Sequence, residues 1–183
     1  MKKSIRKLSQ GEIRSFKRKL EEVKELKRRP IVLVVDDVRS LFNIGSFFRT
    51  ADAFLLEKIY LCGISGRPPQ KEIEKTALGT VEAVPWEYFE NIGGCLDKLK
   101  KEDYQIVALE QTEQSVDYKE AKYDYPLALI VGNEIDGVGE KALQKTDLAV
   151  EIPMEGRASS LNVANAFAIV IAEIANKYHG SKN

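Results

Sequence analysis

Beyond Pro30 the chain keeps switching between two hydrophobic rhythms, and that alternation restricts its fold more than any other feature. Short β-branched or apolar runs occur at residues 31–35, 58–62, 105–109, 127–131 and 148–152, with a weaker run at 81–85. Helical spacing fills the intervals at 43–54, 71–78, 95–101 and 139–145, and a long final helix is predicted over 160–178. Short, mainly apolar runs bounded by polar and glycine-containing segments suit buried strands. Strands alternating with helices predict an α/β domain, with a mainly parallel sheet flanked by helices. No repeat or linker interrupts this pattern, so residues 30–183 read as one domain.

The preceding residues, 1–29, follow a different rule. Ser9 and Glu12 have the spacing of a helix-capping box. Ile13, Phe16, Leu20, Val23 and Leu26 then recur every three or four positions, which predicts one amphipathic helix closed by Pro30. Its other faces carry Arg14, Lys17, Arg18, Lys19, Lys24, Lys27 and Arg28. Residues 1–30 hold 12 basic and 4 acidic residues, a net of +8; the remainder of the chain, 16 basic and 24 acidic, carries −8. The chain is therefore neutral overall, which excludes a globally basic nucleic-acid protein, yet it has a basic arm suited to a polyanion. A solvated helix docked on the domain is the alternative for the same residues.

Apolar residues at 44% and charged residues at 31% fit a folded domain with a real core. Cys62 and Cys95 form no paired-cysteine motif, so neither a disulfide framework nor a metal site is expected, and a reducing cytoplasm is. No apolar run is long enough for a membrane helix, and the N-terminus lacks the apolar stretch of a secretory signal.

In open α/β sheets, ligands bind beyond the carboxyl ends of the strands. Three glycine-containing segments fall there: 36–51, 132–139 and 153–164. None is a dinucleotide-binding GxGxxG, a phosphate loop or a GxSxG nucleophile elbow. The single histidine, His179, sits in a polar tail. These omissions weaken hydrolytic and redox chemistry.

The three segments resemble, in order, the motifs of the SpoU (TrmH-type) RNA ribose 2′-O-methyltransferases of the SPOUT superfamily. The first is Asn43-x-Gly45-x-x-x-Arg49-Thr50-Ala51; the second is Gly132-x-Glu134-x-x-Gly137. The third is Ile152-Pro153-Met154-x-Gly156-x-x-x-Ser160-Leu161-Asn162-Val163. The resemblance covers about residues 30–178. It implies a C-terminal trefoil knot, which connection rules make almost forbidden and which composition and spacing do not reveal. It also implies S-adenosylmethionine as cofactor, a homodimer whose sites draw on both subunits, and RNA as substrate, without a metal.

The same resemblance assigns Arg49 to proton abstraction from the ribose 2′-hydroxyl. An isolated arginine, with a pKa above ~12, is a poor base, so phosphate positioning and alkoxide stabilisation fit its chemistry better. Without the motif, Arg49 reads as a surface ion-pair residue. Asn43 reads as a helix N-cap or, by resemblance, as support for the site near Arg49. Glu134 is either an exposed loop carboxylate or the group that orients Asn43 or Arg49. Ser160 and Asn162 fit caps of the final helix; the resemblance has Ser160 touching substrate phosphate and Asn162 ordering the site. Gly132 and Gly156 would let backbone approach the cofactor, between apolar walls from Leu109, Ile152, Met154 and Leu161. Arg157, with Arg14, Lys17 and Arg18 of the arm, is a candidate RNA contact.

These observations lead to a cofactor-dependent RNA 2′-O-methyltransferase acting on tRNA, with rRNA as the alternative substrate. The chain shows no separate N-terminal α/β RNA-binding domain of the kind larger relatives carry, so capture falls to the arm and the site. A catalytically inactive RNA-binding or assembly factor is the competing reading, against which the intact Asn43, Arg49, Glu134, Ser160 and Asn162 argue. A generic nucleotide-binding domain is the third.

Overall fold

Seven strands form one sheet in the order β3-β2-β1-β6-β4-β7-β5, and every neighbouring pair among the described residues runs parallel. The structure is a computed structural model and describes residues 5–180. The strands are β1 (Arg29–Asp36), β2 (Leu56–Cys62), β3 (Trp86–Phe89), β4 (Gln105–Leu109), β5 (Val116–Asp117), β6 (Leu127–Val131) and β7 (Leu148–Glu151). The helices of the domain are α3 (Leu41–Ala53), α4 (Lys71–Ala77), α5 (Ile92–Lys101), α6 (Glu140–Leu143) and α7 (Val163–Gly180), preceded by α1 (Gln10–Ser15) and α2 (Leu20–Lys24) in the arm.

Alternation along each strand divides the core into two layers. Ile31, Leu33 and Val35 of β1 face one side, where they meet Phe47 and Phe48 of α3, Ile73 of α4 and Phe167 of α7. Val32 and Val34 face the other, against Cys95, Leu96 and Leu99 of α5 and Ala142 of α6. Both sheet faces are thus covered, which is why the central strands read as continuous apolar runs. Gly45 lets α3 and α4 approach closely: a Cβ there would sit 1.9 Å from Thr76 Oγ1 and 2.5 Å from the Ile73 carbonyl oxygen. Phe47 and Phe167 meet edge to face at 5.5 Å and join α3 to α7.

Segment 118–126 lies across α7. The Tyr125 hydroxyl donates to the Ile174 carbonyl at 2.8 Å, and Lys177 donates to the carbonyls of Ala121 and Lys119.

Five expectations are corrected. The arm is two short helices, and β1 begins one residue before Pro30. The Ser9–Glu12 capping box forms as expected, but Arg14, Lys17 and Arg18 are like charges at helical neighbour spacing, which works against continuation. Glu22 then accepts a hydrogen bond from the Lys19 backbone N–H at 3.1 Å and starts the second helix. Residues 81–85 form a turn, with the Ala83 and Val84 N–H groups donating to the Thr80 carbonyl. Pro85 has no N–H for a ladder; its carbonyl accepts from Ile59, and the strand follows at Trp86. The final helix begins at Val163 instead of 160, and the first domain helix begins at Leu41 with Ser40 as its cap. Residues 1–4 of the expected extension and 181–183 of the expected domain lie outside the described residues.

Candidate functional site

The carboxyl ends of β4, β6 and β7 open into a cavity of about 500 Å³. Leu109, Gly132, Ile152, Met154 and Leu161, all expected on the cofactor, line it together. Glu134, Ser160 and Asn162 line it as well, whereas Asn43, Arg49, Gly156 and Arg157 do not. Four acidic residues, Glu110, Glu134, Asp136 and Glu151, contribute to this lining, and among the described residues no lysine, arginine or histidine does. Such a lining suits a cationic ligand with apolar parts and disfavours a polyphosphate.

Gly132 has a steric reason for its identity. The 132–138 loop folds back on itself, with Asn133 and Gly137 exchanging two backbone hydrogen bonds of 2.9 and 3.0 Å. A Cβ on Gly132 would lie 2.1–2.2 Å from backbone atoms of Gly137 and Val138. Gly137 itself has φ of +68°, in the region where side chains are strained.

A polar relay joins the three motif segments at the cavity rim. Asn43 Nδ2 donates to Glu134 Oε1 at 2.9 Å, and Asn162 Nδ2 donates to Asn43 Oδ1 at 3.2 Å. The backbone N–H groups of Ser40 and Arg39 also donate to the Glu134 carboxylate, at 3.1 and 3.3 Å. Burial pushes the Glu134 pKa up, but these donors, Asn43 foremost, outweigh it and hold the carboxyl below its ordinary value. Asn43 is only 8% exposed, so both ends of its amide are fixed by partners. It is not the cap of α3: Ser40 Oγ fills that place, accepting from the Asn43 N–H at 3.4 Å. Asn162 does cap α7, its Oδ1 accepting from Ala164 and Asn165 at 3.0 and 3.3 Å. Ser160 lies ahead of the helix, exposed, and free of a capping role.

Arg49 is not brought to this relay. It stands six residues beyond Asn43 on α3, about 9 Å further along the helix axis. Its side chain is exposed and has no ion-pair or hydrogen-bond partner among the described residues. Glu134 therefore orients Asn43 and the 39–40 backbone, not Arg49. Arg157 is exposed on the 153–162 segment. Arg14, Lys17 and Arg18 are exposed on the arm. Lys17 and Arg28 act electrostatically on half-buried Asp52 of α3, whose pKa is raised by burial and lowered partway by these two charges.

Four site residues escaped the sequence reading. Glu110, directly after β4, accepts from the Val138 N–H at 2.8 Å and clamps the 132–138 loop. Gln111 donates to the Ser159 carbonyl at 2.8 Å, tying that clamp to the third motif. Asn133 turns the loop by accepting from Ile135 and Asp136, and donates to the Asp37 carbonyl at 2.8 Å. Asp36, 6% exposed, accepts from the Gly139 N–H at 3.1 Å; burial raises its pKa, that bond lowers it, and neighbouring Asp37 raises it further. An acidic or amide residue at or just past a strand end was the available signal for all four.

Among the described residues, no helix is long and apolar enough to cross a membrane, and no three His, Cys, Asp or Glu residues gather as metal ligands.

Comparison with known proteins returns the same region. The SpoU rRNA Methylase family model matches residues 30–172. A tRNA (guanosine(18)-2′-O)-methyltransferase of Aquifex aeolicus is 31% identical over 159 residues, covering 85% of this chain and 74% of that protein. The crystal structure of the A. aeolicus TrmH/SpoU tRNA modifying enzyme superposes with a TM-score of 0.80 at 30% identity, over 89% of this chain and 82% of that one. The AdoMet-bound rRNA methyltransferase from Sinorhizobium meliloti gives a TM-score of 0.75 at 29% identity, over 85% of this chain and 60% of that one. The chain thus spans less than two thirds of some of the relatives it matches.

Proposed function

Because the chain belongs to the SpoU rRNA methylase family, we propose that it transfers a methyl group from S-adenosylmethionine to a ribose 2′-hydroxyl of RNA. The cavity carries this reading. Its apolar wall of Leu109, Ile152, Met154 and Leu161 suits an adenosine, and its carboxylates suit a sulfonium and an ammonium group. Gly132 leaves backbone where a side chain would intrude. Bound there, S-adenosylmethionine supplies an activated methyl group, so the chemistry left to the chain concerns the weakly acidic hydroxyl.

The chain must hold that hydroxyl in line and manage its proton. Asn43, with both amide ends fixed by Glu134 and Asn162, is a rigid element at the rim where the ribose would lie. Ser160 supplies a hydroxyl for the adjoining phosphate, and Arg157 a cation for the RNA. Arg49 positions the RNA phosphate and stabilises the developing alkoxide, and the proton passes to that phosphate or to solvent water as the O–CH3 bond replaces the S–CH3 bond. Its distance from the relay along α3 supports a homodimer in which each cavity receives Arg49 from the other subunit. The trefoil knot belongs to the same reading, supported by segment 118–126 lying across α7. So does a cytoplasmic location, supported by the free thiols of buried Cys62 and Cys95.

The proposed substrate is tRNA, the substrate in the name of the A. aeolicus relative, with capture by Arg14, Lys17 and Arg18. The S. meliloti neighbour favours rRNA as the second reading. The test is tritium transfer from labelled S-adenosylmethionine to unmodified tRNA and, separately, unmodified rRNA, with alkali-resistant dinucleotides reporting 2′-O-methylation. Label in tRNA is expected; label in rRNA alone overturns the substrate, and label in neither favours a binding-only role. Arg49→Ala should remove transfer and leave cofactor affinity unchanged, as calorimetry would show.

A further inference from the structure

Several lysines of the body pair with acids: Lys58 and Lys98 with Glu87, Lys100 with Asp147, Lys145 with Asp97. Arg67 has no such partner among the described residues. Instead its guanidinium lies over the ring of Tyr88, 4.1 Å from the centroid. Tyr88 belongs to edge strand β3 and is 36% exposed. Its hydroxyl donates to the Gly63 carbonyl at 3.0 Å, which fixes the ring.

The segment that carries Arg67 is equally fixed. The Ile64 N–H donates to Asp37 Oδ1 at 2.8 Å, the Gly66 N–H to the Val38 carbonyl at 3.1 Å, and Ser65 Oγ accepts from the Val38 N–H at 3.0 Å. Segment 63–67 is therefore pinned to 37–38, next to the 39–40 backbone that holds Glu134. Both lie at the carboxyl end of the sheet, and Arg67 is exposed there, on the side of edge strand β3. A planar cation held by an aromatic ring, unneutralised by acid, suits an unpaired nucleobase with its phosphate.

We propose that the Arg67–Tyr88 stack is an RNA subsite that receives an unpaired nucleotide flanking the methylated one. The inference rests on the RNA methyl-transfer reading and adds to it that the target lies in a single-stranded stretch. Arg67 offers its plane to the base and its N–H edge to the phosphate; Tyr88 keeps the guanidinium from turning.

The experiment measures binding of unmodified tRNA and rRNA transcripts, and methyl transfer to each, for the wild-type chain, Arg67→Ala and Arg67→Lys. Melting temperature and S-adenosylmethionine affinity serve as controls. Arg67→Ala should weaken RNA binding about tenfold, the size of a lost base stack, and raise KM for RNA while leaving kcat and cofactor affinity near wild type. Arg67→Lys keeps the charge without the plane and should recover less than half of that loss. Wild-type affinity in Arg67→Ala overturns the subsite, and full recovery in Arg67→Lys overturns the stacking. A wild-type chain that neither binds nor methylates RNA overturns the functional reading itself, and the subsite with it.

Discussion

Helix α7 and the N-terminal arm begin from the same kind of sequence, an apolar stripe at helical spacing, and end in opposite environments. In α7, Phe167, Val170, Ile171 and Ile174 are fully buried against the sheet and α3. In the arm, Ile13 is 47% and Phe16 72% exposed, and neither α1 nor α2 buries a residue. Periodicity therefore reports that a face is apolar, not that the chain contains the surface to cover it. Where cover exists, a long helix forms; where it does not, like charges and a second cap are enough to divide the helix.

The contrast is sharpest in stability. Phe167→Ala removes a ring packed on Phe47 and should cost about 3–5 kcal/mol, whereas Phe16→Ala should cost less than about 0.5 kcal/mol. Denaturant melts of the two variants test this, and equal losses would break the comparison. Deleting residues 1–28 should reverse the ranking for RNA. The truncated chain should melt within a few degrees of the full one, yet bind RNA about tenfold more weakly with a shallower salt dependence. Unchanged binding would make the arm structural only.

A smaller effect separates buried charge from buried surface. The pKa of Asp36 in the folded state lies above its unfolded value, so ionisation opposes folding. That cost is absent below the unfolded pKa, near 3.9, and fully present above the folded one. Asp36→Asn keeps an acceptor for the Gly139 N–H and should raise stability at pH 7, with the gain fading below about pH 4. Melting curves across pH check the sign; a loss at pH 7 would show that the carboxylate, not its burial, governs the site.

What the sequence disclosed follows the same division. Strands β4 and β6 stand out at their observed bounds because four or five consecutive apolar residues between polar turns have few other uses. That Leu109, Gly132, Ile152, Met154 and Leu161 line one cavity was legible because they lie at or beyond strand ends, and strand ends converge in a parallel sheet. The relay was only partly legible. Asn43 and Glu134 lie 91 residues apart, and nothing local says that one amide will bridge Glu134 and Asn162. Ser40 displaced Asn43 as the cap because any short polar residue near a helix start can serve. Glu110 and Asn133 went unnoticed because clamping a loop requires only one correctly placed acceptor, which leaves no pattern. The Arg67–Tyr88 stack joins the loop after β2 to edge strand β3 and has no sequence signature.

The central claim, that the cavity at the ends of β4, β6 and β7 holds S-adenosylmethionine, is tested most directly by calorimetry on the full chain and on Gly132→Ala. A Cβ at position 132 meets backbone at 2.1–2.2 Å, so the loop must shift into or away from the cavity. The account predicts one cofactor per wild-type chain and binding at least about tenfold weaker in Gly132→Ala, since each 1.4 kcal/mol of lost contact is a factor of ten, with the melting transition still cooperative. A wild-type chain that does not bind, or a variant that binds as tightly, would contradict it.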